Sequence, residues 1–317
     1  MFGFIKMIQD FLSRLKNNKR LWFTSIFLIA ILGVTLSITM LIISTDNVSE
    51  EVYASQAKEF TLKYKDLEKL KHKKLQKLAT VVSFDASIID KIEKNDTIGI
   101  SQFESELNIK ITKNDNNIII FKFHSLQNKS EALRNSIVST IQNKNSIFGI
   151  EVLFDGIYYV YLQPIIVNDK VIGVIEIKEN LYSIKESFDR TNMQFAFLLD
   201  TKMIALISQQ HKEGVYKEVG TNYLFNSKMY DSSFATTIIS IDDSIFQSIS
   251  KGEYIVGKEF FMNGLLLRDT NGVDIGILIF GESVTKDGGF INMAHKMSNQ
   301  VISIALGLIV SLLLFMF

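Results

Sequence analysis

Two stretches of the chain, residues 21–44 and 300–317, contain no charged side chain. About 20 consecutive apolar residues cross the hydrocarbon core of a bilayer as a helix. The first stretch meets that length, starts at the only tryptophan, Trp22, and runs into Asp46, Glu50 and Glu51. A signal peptide has a shorter apolar region of about 7–15 residues that ends at small residues, so residues 21–44 are read as an uncleaved transmembrane helix. Residues 300–317 are read as the second. Between them the pattern changes. Over residues 45–94, Phe60, Tyr64, Leu67, Leu70, Leu75, Leu78 and Val82 recur at three- and four-residue steps among lysines and acids, which predicts a long stalk helix. That helix either forms a dimer seam or packs on its own sheet, and different parts of it can do each.

Beyond the stalk, residues 109–112 alternate, 114–117 make a polar turn, and 118–124 read as an apolar-rich strand. Residues 130–143 read as a helix with Ser130 as its N-cap. Three strands follow at 148–154, 157–166 and 171–177, joined by hairpin turns at Asp155-Gly156 and Asn168-Asp169. Helix, two strands, helix, three antiparallel strands is a PAS-like order, and it occupies residues 95–183. A fainter copy fills 184–283. It has a bridging helix at 184–191, short strands at 194–199 and 203–207, mixed helix and loop at 227–250, and strands at 253–261, 264–268 and 273–280. Its turns fall at Met262-Asn263 and at Thr270 to Gly272. A return segment, 284–299, leads to the second apolar stretch. The expected fold is α+β: two tandem PAS-like modules with antiparallel sheets on a long N-terminal helix, flanked by two transmembrane helices.

Charge sharpens this. The 317 residues hold 34 basic and 34 acidic side chains, and mean hydropathy is +0.18. The balance is local, not uniform. Residues 1–20 carry five basic groups and one acidic group, whereas residues 45–299 carry 29 basic and 33 acidic. The positive-inside rule places residues 1–20 in the cytoplasm and residues 45–299 in the periplasm, with a two-pass topology in the inner membrane. Phe4, Ile5, Ile8, Phe11, Leu12 and Leu15 give residues 1–20 a short basic amphipathic pattern. The chain has no cysteine and one proline. That excludes disulfide scaffolds, thiolate metal sites and cysteine nucleophiles.

The stretch from Phe148 to Pro164, FGIEVLFDGIYYVYLQP, followed by VIGVIE from Val171 to Glu176, resembles double Cache extracytoplasmic sensor domains. The resemblance is to the subgroup found in sensor kinases, chemoreceptors and diguanylate cyclases. That family's pattern runs G-x-E, then G-x-x-x-R-x-x-x-P, then G-x-x-E. Lys122-Phe-His124 is similar to its R-x-H strand, and Arg134 to the arginine that opens the next helix. The likeness extends over about residues 60–225 and weakens over 226–283. Three positions depart from it: Lys122 and Val160 stand where the family has arginines, and Leu153 where it often has glycine. Any anion binding that those arginines perform in relatives is weakened or altered here.

The candidate ligand-binding residues are Lys122, His124, Arg134, Glu151, Tyr159, Tyr161 and Glu176. Lys122 and His124 are two apart and share one strand face. Either they enter a pocket or they lie on a solvated face with Phe121 and Phe123 in the core. An arginine such as Arg134 clamps a carboxylate or makes a surface ion pair. Tyr159 and Tyr161 share a face and either roof a ligand with ring and hydroxyl or pack in the core. Glu151 and Glu176 lie amid apolar residues, where a carboxylate is costly unless paired. Pairing with Lys122 or Arg134 would satisfy them. Arg268 is read as structural.

His72, His124, His211 and His295 show no metal-ligand spacing. There is no G-x-S-x-G, P-loop or dinucleotide turn, and basic residues interleave with acids, which leaves no nucleic-acid footprint. No enzymatic activity, cofactor or metal is expected. The expected role is the sensing part of a transmembrane receptor, acting as a homodimer, with a small metabolite as ligand. An organic acid is favoured through Lys122, His124 and Arg134, and an amine comes second through Glu151 and Glu176. The chain ends inside its second apolar stretch, so the output module is expected elsewhere. The alternative is a membrane-anchored structural or transport-accessory protein, and a solid module core would favour it.

Overall fold

A computed structural model describes residues 19–112, 119–126, 133–191, 193–212, 215–226, 229–286 and 289–316. The chain forms two compact units, Met1–Ser55 with Phe290–Phe317, and Gln56–Gly289. The first 65-residue helix, α1 (Lys19–Ser83), begins in one unit and continues into the other. Its apolar part is long and apolar enough to cross a membrane, and it is the one such helix among the described residues. The hydroxyls of Thr35, Ser37, Thr39 and Thr45 each donate to the carbonyl four residues earlier, at 2.8–2.9 Å. This leaves no hydroxyl of that group seeking an outside partner. At the other end of the chain, Phe290–Met316 is one continuous helix, α9. It merges most of the expected return segment with the second apolar stretch.

In Gln56–Gly289, α1 stops at Ser83, short of the expected residue 94. Asp85 ends it by capping the next helix, α2 (Ala86–Glu93), with a 2.8 Å bond from the Ser87 amide. Residues 109–112, expected as a strand, close a helix, α3 (Thr97–Thr112). Four alternating residues are too few to fix a period, and Ile100, Phe103, Leu107 and Ile111 already follow helical steps. Strand β1 (Ile119–Ser125), helix α4 (Asn135–Asn143) and strands β2 (Ile147–Leu153), β3 (Gly156–Val167) and β4 (Lys170–Asn180) complete the first module. Both expected hairpin turns form, and Asn168 and Asp169 take φ of 46° and 61°, the paired positive values of a type I′ turn. The sheet order is β1-β4-β3-β2, all antiparallel. The residues expected at the start of α4, including Ser130, and the 114–117 turn lie outside the described residues, as does most of segment 1–20.

The second module holds a six-stranded sheet in the order β6-β7-β5-β10-β9-β8. A 3₁₀ turn (Leu181–Ile184) and α5 (Lys185–Asp189) lead into β5 (Met193–Asp200). No strand forms at 203–207; residues 203–206 belong instead to a 3₁₀ helix (Thr201–Leu206), started by Asp200 accepting from the Lys202 amide at 2.8 Å. The short helix α6 (Gln209–Lys212) follows, with strands β6 (Lys217–Val219) and β7 (Tyr223–Phe225), which the sequence pattern did not suggest. Helices α7 (Ser232–Ile239) and α8 (Asp243–Ser250) precede β8 (Ile255–Val256), β9 (Phe260–Arg268) and β10 (Asp274–Ser283).

No turn forms at Met262-Asn263. The Asn263 side chain donates through Nδ2 to the Ala57 carbonyl at 2.8 Å, and a Cβ at Gly264 would lie 2.4 Å from Ile249. Both residues serve packing inside a continuous strand.

Helix α1 covers one face of each sheet. Phe60 packs edge-on to Phe261 at 5.9 Å, and Tyr64 lies 5.9 Å from Phe280, both in the second module. Further along, His72 stacks on Phe148 at 4.5 Å, and Lys71 pairs with the buried Glu179 at 2.5 Å, both in the first module. Fully burying one such aromatic stabilises the fold by roughly 1.5–3 kcal/mol. The two modules therefore share a helical spine.

Candidate functional site

The face of the first sheet opposite α1 carries the site. Period two decides which side chains reach it. In register, Lys122 of β1 faces Glu176 of β4, which faces Leu162 of β3. His124, Val174, Lys178, Val160 and Tyr158 project to this same side. Helix α4 lies over it, and Ile137, Leu153, Tyr158, Val160, Leu162 and Val174 make a buried apolar floor. A cavity of about 500 Å³ remains above that floor. Its polar lining comes from Lys122, His124, Arg134, Asp155, Glu176 and Lys178, and Leu206 of the second module closes one side.

Glu176 is the organising group. It is 2% exposed. Its Oε2 lies 2.7 Å from His124 Nε2, and its Oε1 accepts from Arg134 Nη2 at 2.8 Å. Burial alone would raise its pKa, but the His124 hydrogen bond and the Arg134 charge outweigh burial and hold the carboxyl at about 2. It is therefore ionised at any physiological pH. Arg134 occupies the N-cap position of α4 in an extended conformation, which turns its side chain back over the sheet. Its Nε also lies 3.3 Å from Glu151 Oε2. Lys178 donates to Asp155 at 2.6 Å and sits 4.5 Å above the Tyr158 ring. Lys122 is exposed at the rim.

The open placement of Lys122 and His124 is thus decided. They face the cavity, and Phe121 and Phe123 pack in the core on the α1 side. Tyr159 and Tyr161 do not roof this cavity. They are 0% and 1% exposed on the opposite face of β3, against α1, where Tyr161 lies 5.7 Å from His72. Burial pushes the Tyr159 hydroxyl pKa upward, as expected of a neutral core phenol. The sequence pattern could not separate the faces of β3, because its residues 157–162 are buried on both. Glu151 and Glu176 both pair with Arg134.

Lys178, Asp155 and Leu206 also line the cavity and are not among the candidate site residues of the sequence. Lys178 was accessible to reasoning, since it stands two residues after Glu176 on the same face. Leu206 gave no local signal. Val160, where the resembled family has an arginine, is fully buried in the apolar floor. Arg268 pairs with Asp274 at 2.8 Å beside the β9–β10 turn. Among the described residues, no cluster of three metal-ligating side chains occurs.

No protein family matches the chain at the sequence level, and no curated protein does. Solved structures do. The chain is similar to the sensor domain of the V. cholerae histidine kinase DctB, with 9% identity and a TM-score of 0.37, over 73% of this chain and 98% of that one. The ligand-binding domain of the Pseudomonas fluorescens chemoreceptor CtaA, in complex with L-serine, aligns at 9% identity and a TM-score of 0.32, over 70% of this chain and 99% of that one. That of the Campylobacter jejuni chemoreceptor Tlp3, in complex with L-valine, aligns at 14% identity and 0.33, over 81% and 98%. These neighbours are sensor and ligand-binding domains of kinases and chemoreceptors.

Proposed function

We propose that the chain is the extracytoplasmic sensing part of a two-pass membrane receptor and that it binds a small carboxylate-bearing metabolite in the first module's cavity. The observation that carries this reading is the roughly 500 Å³ space between α4 and the sheet, with Lys122, His124 and Arg134 on its walls. An open cavity of that size, with basic side chains beside Asp155 and Glu176 on its walls, favours a sensor over a membrane-anchored accessory protein with a solid core. The ligand's carboxylate meets Arg134 and Lys122. Its apolar part rests against Leu133, Ile137 and Leu153. An amine is the weaker fit, because Glu151 and Glu176 already have Arg134 as counter-ion.

Binding shifts the equilibrium between two arrangements only through the ligand's differential affinity for them. In this reading, cavity closure moves the second module and the shared helix α1. The displacement passes to the spans at 21–44 and 300–317 in a homodimer, and from there to a signalling output. The test is a thermal-shift screen of the full chain in lipid nanodiscs against small carboxylates, amino acids and amines. A ligand that binds the native state raises the melting temperature by mass action. The reading predicts a hit among the carboxylates or amino acids, and a broad panel without any shift contradicts it.

A further inference from the structure

The cavity's charge network does not end in the first module. The turn between β9 and β10 is a rigid knuckle. Asp269 Oδ1 accepts from the amides of Asn271 and Val273, both at 2.8 Å, and Gly272 supplies the positive φ of 81° that the turn needs. This knuckle docks on β2. Asp269 forms a parallel bridge with Ile150. A Cβ at Gly149 would lie 2.8 Å from the Thr270 methyl, so only glycine lets the turn approach. Thr270 Oγ1 donates to Glu151 Oε1 at 2.7 Å. The other Glu151 oxygen lies 3.3 Å from Arg134 Nε, an ion pair held by charge and not by a hydrogen bond, and Arg134 in turn holds Glu176, which holds His124. An unbroken series of polar contacts thus runs from a second-module turn to the wall of a first-module cavity.

Glu151 is 5% exposed. A buried carboxylate that loses one partner must lean on the others or shift. Its Arg134 contact, at 3.3 Å, is the longer of the guanidinium's two ion pairs, so it is the one a competing anion displaces first. We propose that Thr270 is the positioning residue through which the second module reads the cavity. It fixes Glu151, Glu151 fixes Arg134, and a change at Arg134 is returned through Thr270 to the β9–β10 turn. Strand β10 then runs on in sequence toward α9. This deepens the sensing function proposed above and names its route between modules.

The test needs no ligand. Hydrogen exchange of the Asn271 and Val273 amides is followed in the full chain in nanodiscs. Arg134→Met, a change at the cavity wall, raises their exchange by about fivefold, the scale of coupling between residues sharing one network. In a Thr270→Val background, the same Arg134→Met change leaves exchange unaltered. Thr270→Ser, which keeps the hydroxyl, restores the response. Should Arg134→Met unfold the chain, Arg134→Lys is read the same way. A response of equal size with and without the Thr270 hydroxyl, or no response at all, overturns the proposal. A chain that shows the coupling but binds no carboxylate keeps this route and loses the ligand assignment. One that binds a carboxylate without the coupling does the reverse.

Discussion

Arg134 Nη2 donates to Glu176 Oε1 at 2.8 Å from the N-cap of α4, so one guanidinium ties the covering helix to the sheet beneath the cavity. Removing Arg134 takes the cation from two buried carboxylates. Arg134→Ala leaves Glu151 and Glu176 without their shared cation and should cost about 2–4 kcal/mol, given that Arg134 itself is one-third exposed. Glu176→Gln keeps the volume and leaves Arg134 with Glu151, at a cost of about 1–2 kcal/mol. Denaturant unfolding followed by circular dichroism ranks the two.

Glu176 also sets a pH dependence. Its folded pKa of about 2 lies below the ordinary carboxylate value, so the folded state binds its proton less readily than the unfolded chain. The stability this contributes is complete above the unfolded pKa, roughly 4.3, and is lost as pH falls toward 2. Melting temperatures of the wild type and Glu176→Gln should differ most at neutral pH and converge between about pH 5 and 2. A gap that stays constant across that range contradicts the paired state.

Tyr161 serves the core and not the ligand. Tyr161→Ala should destabilise by about 3–5 kcal/mol by opening a cavity against α1, whereas Tyr161→Phe should leave ligand affinity unchanged. Thermal melts and a binding titration of the same two variants separate these roles.

Gly264 sits where a side chain has no room, with Ile249 at 2.4 Å and the Leu278 carbonyl at 2.7 Å from a built Cβ. Gly264→Ala should cost about 1–3 kcal/mol through overpacking, measurable by thermal unfolding.

The chain's lack of cysteine makes its topology directly testable. Single cysteines at Ser13 and Lys58 should label oppositely with a membrane-impermeant maleimide in intact spheroplasts, Lys58→Cys reacting and Ser13→Cys protected. Labelling of both contradicts the inside-to-outside placement of the first apolar stretch.

The hairpins from Phe148 to Glu176 were legible because their signals are local. Asp155-Gly156 and Asn168-Asp169 demand tight turns, and β-branched and aromatic runs flank them. That Glu151 and Glu176 need a cationic partner followed from the cost of a lone buried carboxylate, while the choice between Lys122 and Arg134 did not. The facing of Tyr159 and Tyr161 was not legible. A sheet covered on both sides shows no polar alternation to tell its faces apart. The boundary at Phe84 was hidden because Ile88 and Ile92 continue the apolar spacing of α1 past an aspartate cap. Leu206 and Thr270 were beyond reach for a different reason. They meet the first module only through tertiary packing, and nothing in their neighbourhood along the chain announces it.

The central claim is that a small carboxylate binds between α4 and the first sheet. Calorimetric titration of the full chain in nanodiscs with the best carboxylate from the screen tests it most directly, alongside Lys122→Ala and Arg134→Ala. The account predicts saturable binding to the wild type, weakened about tenfold or more by each substitution, the cost of one lost charge-assisted contact. Binding that survives both substitutions unchanged would contradict it.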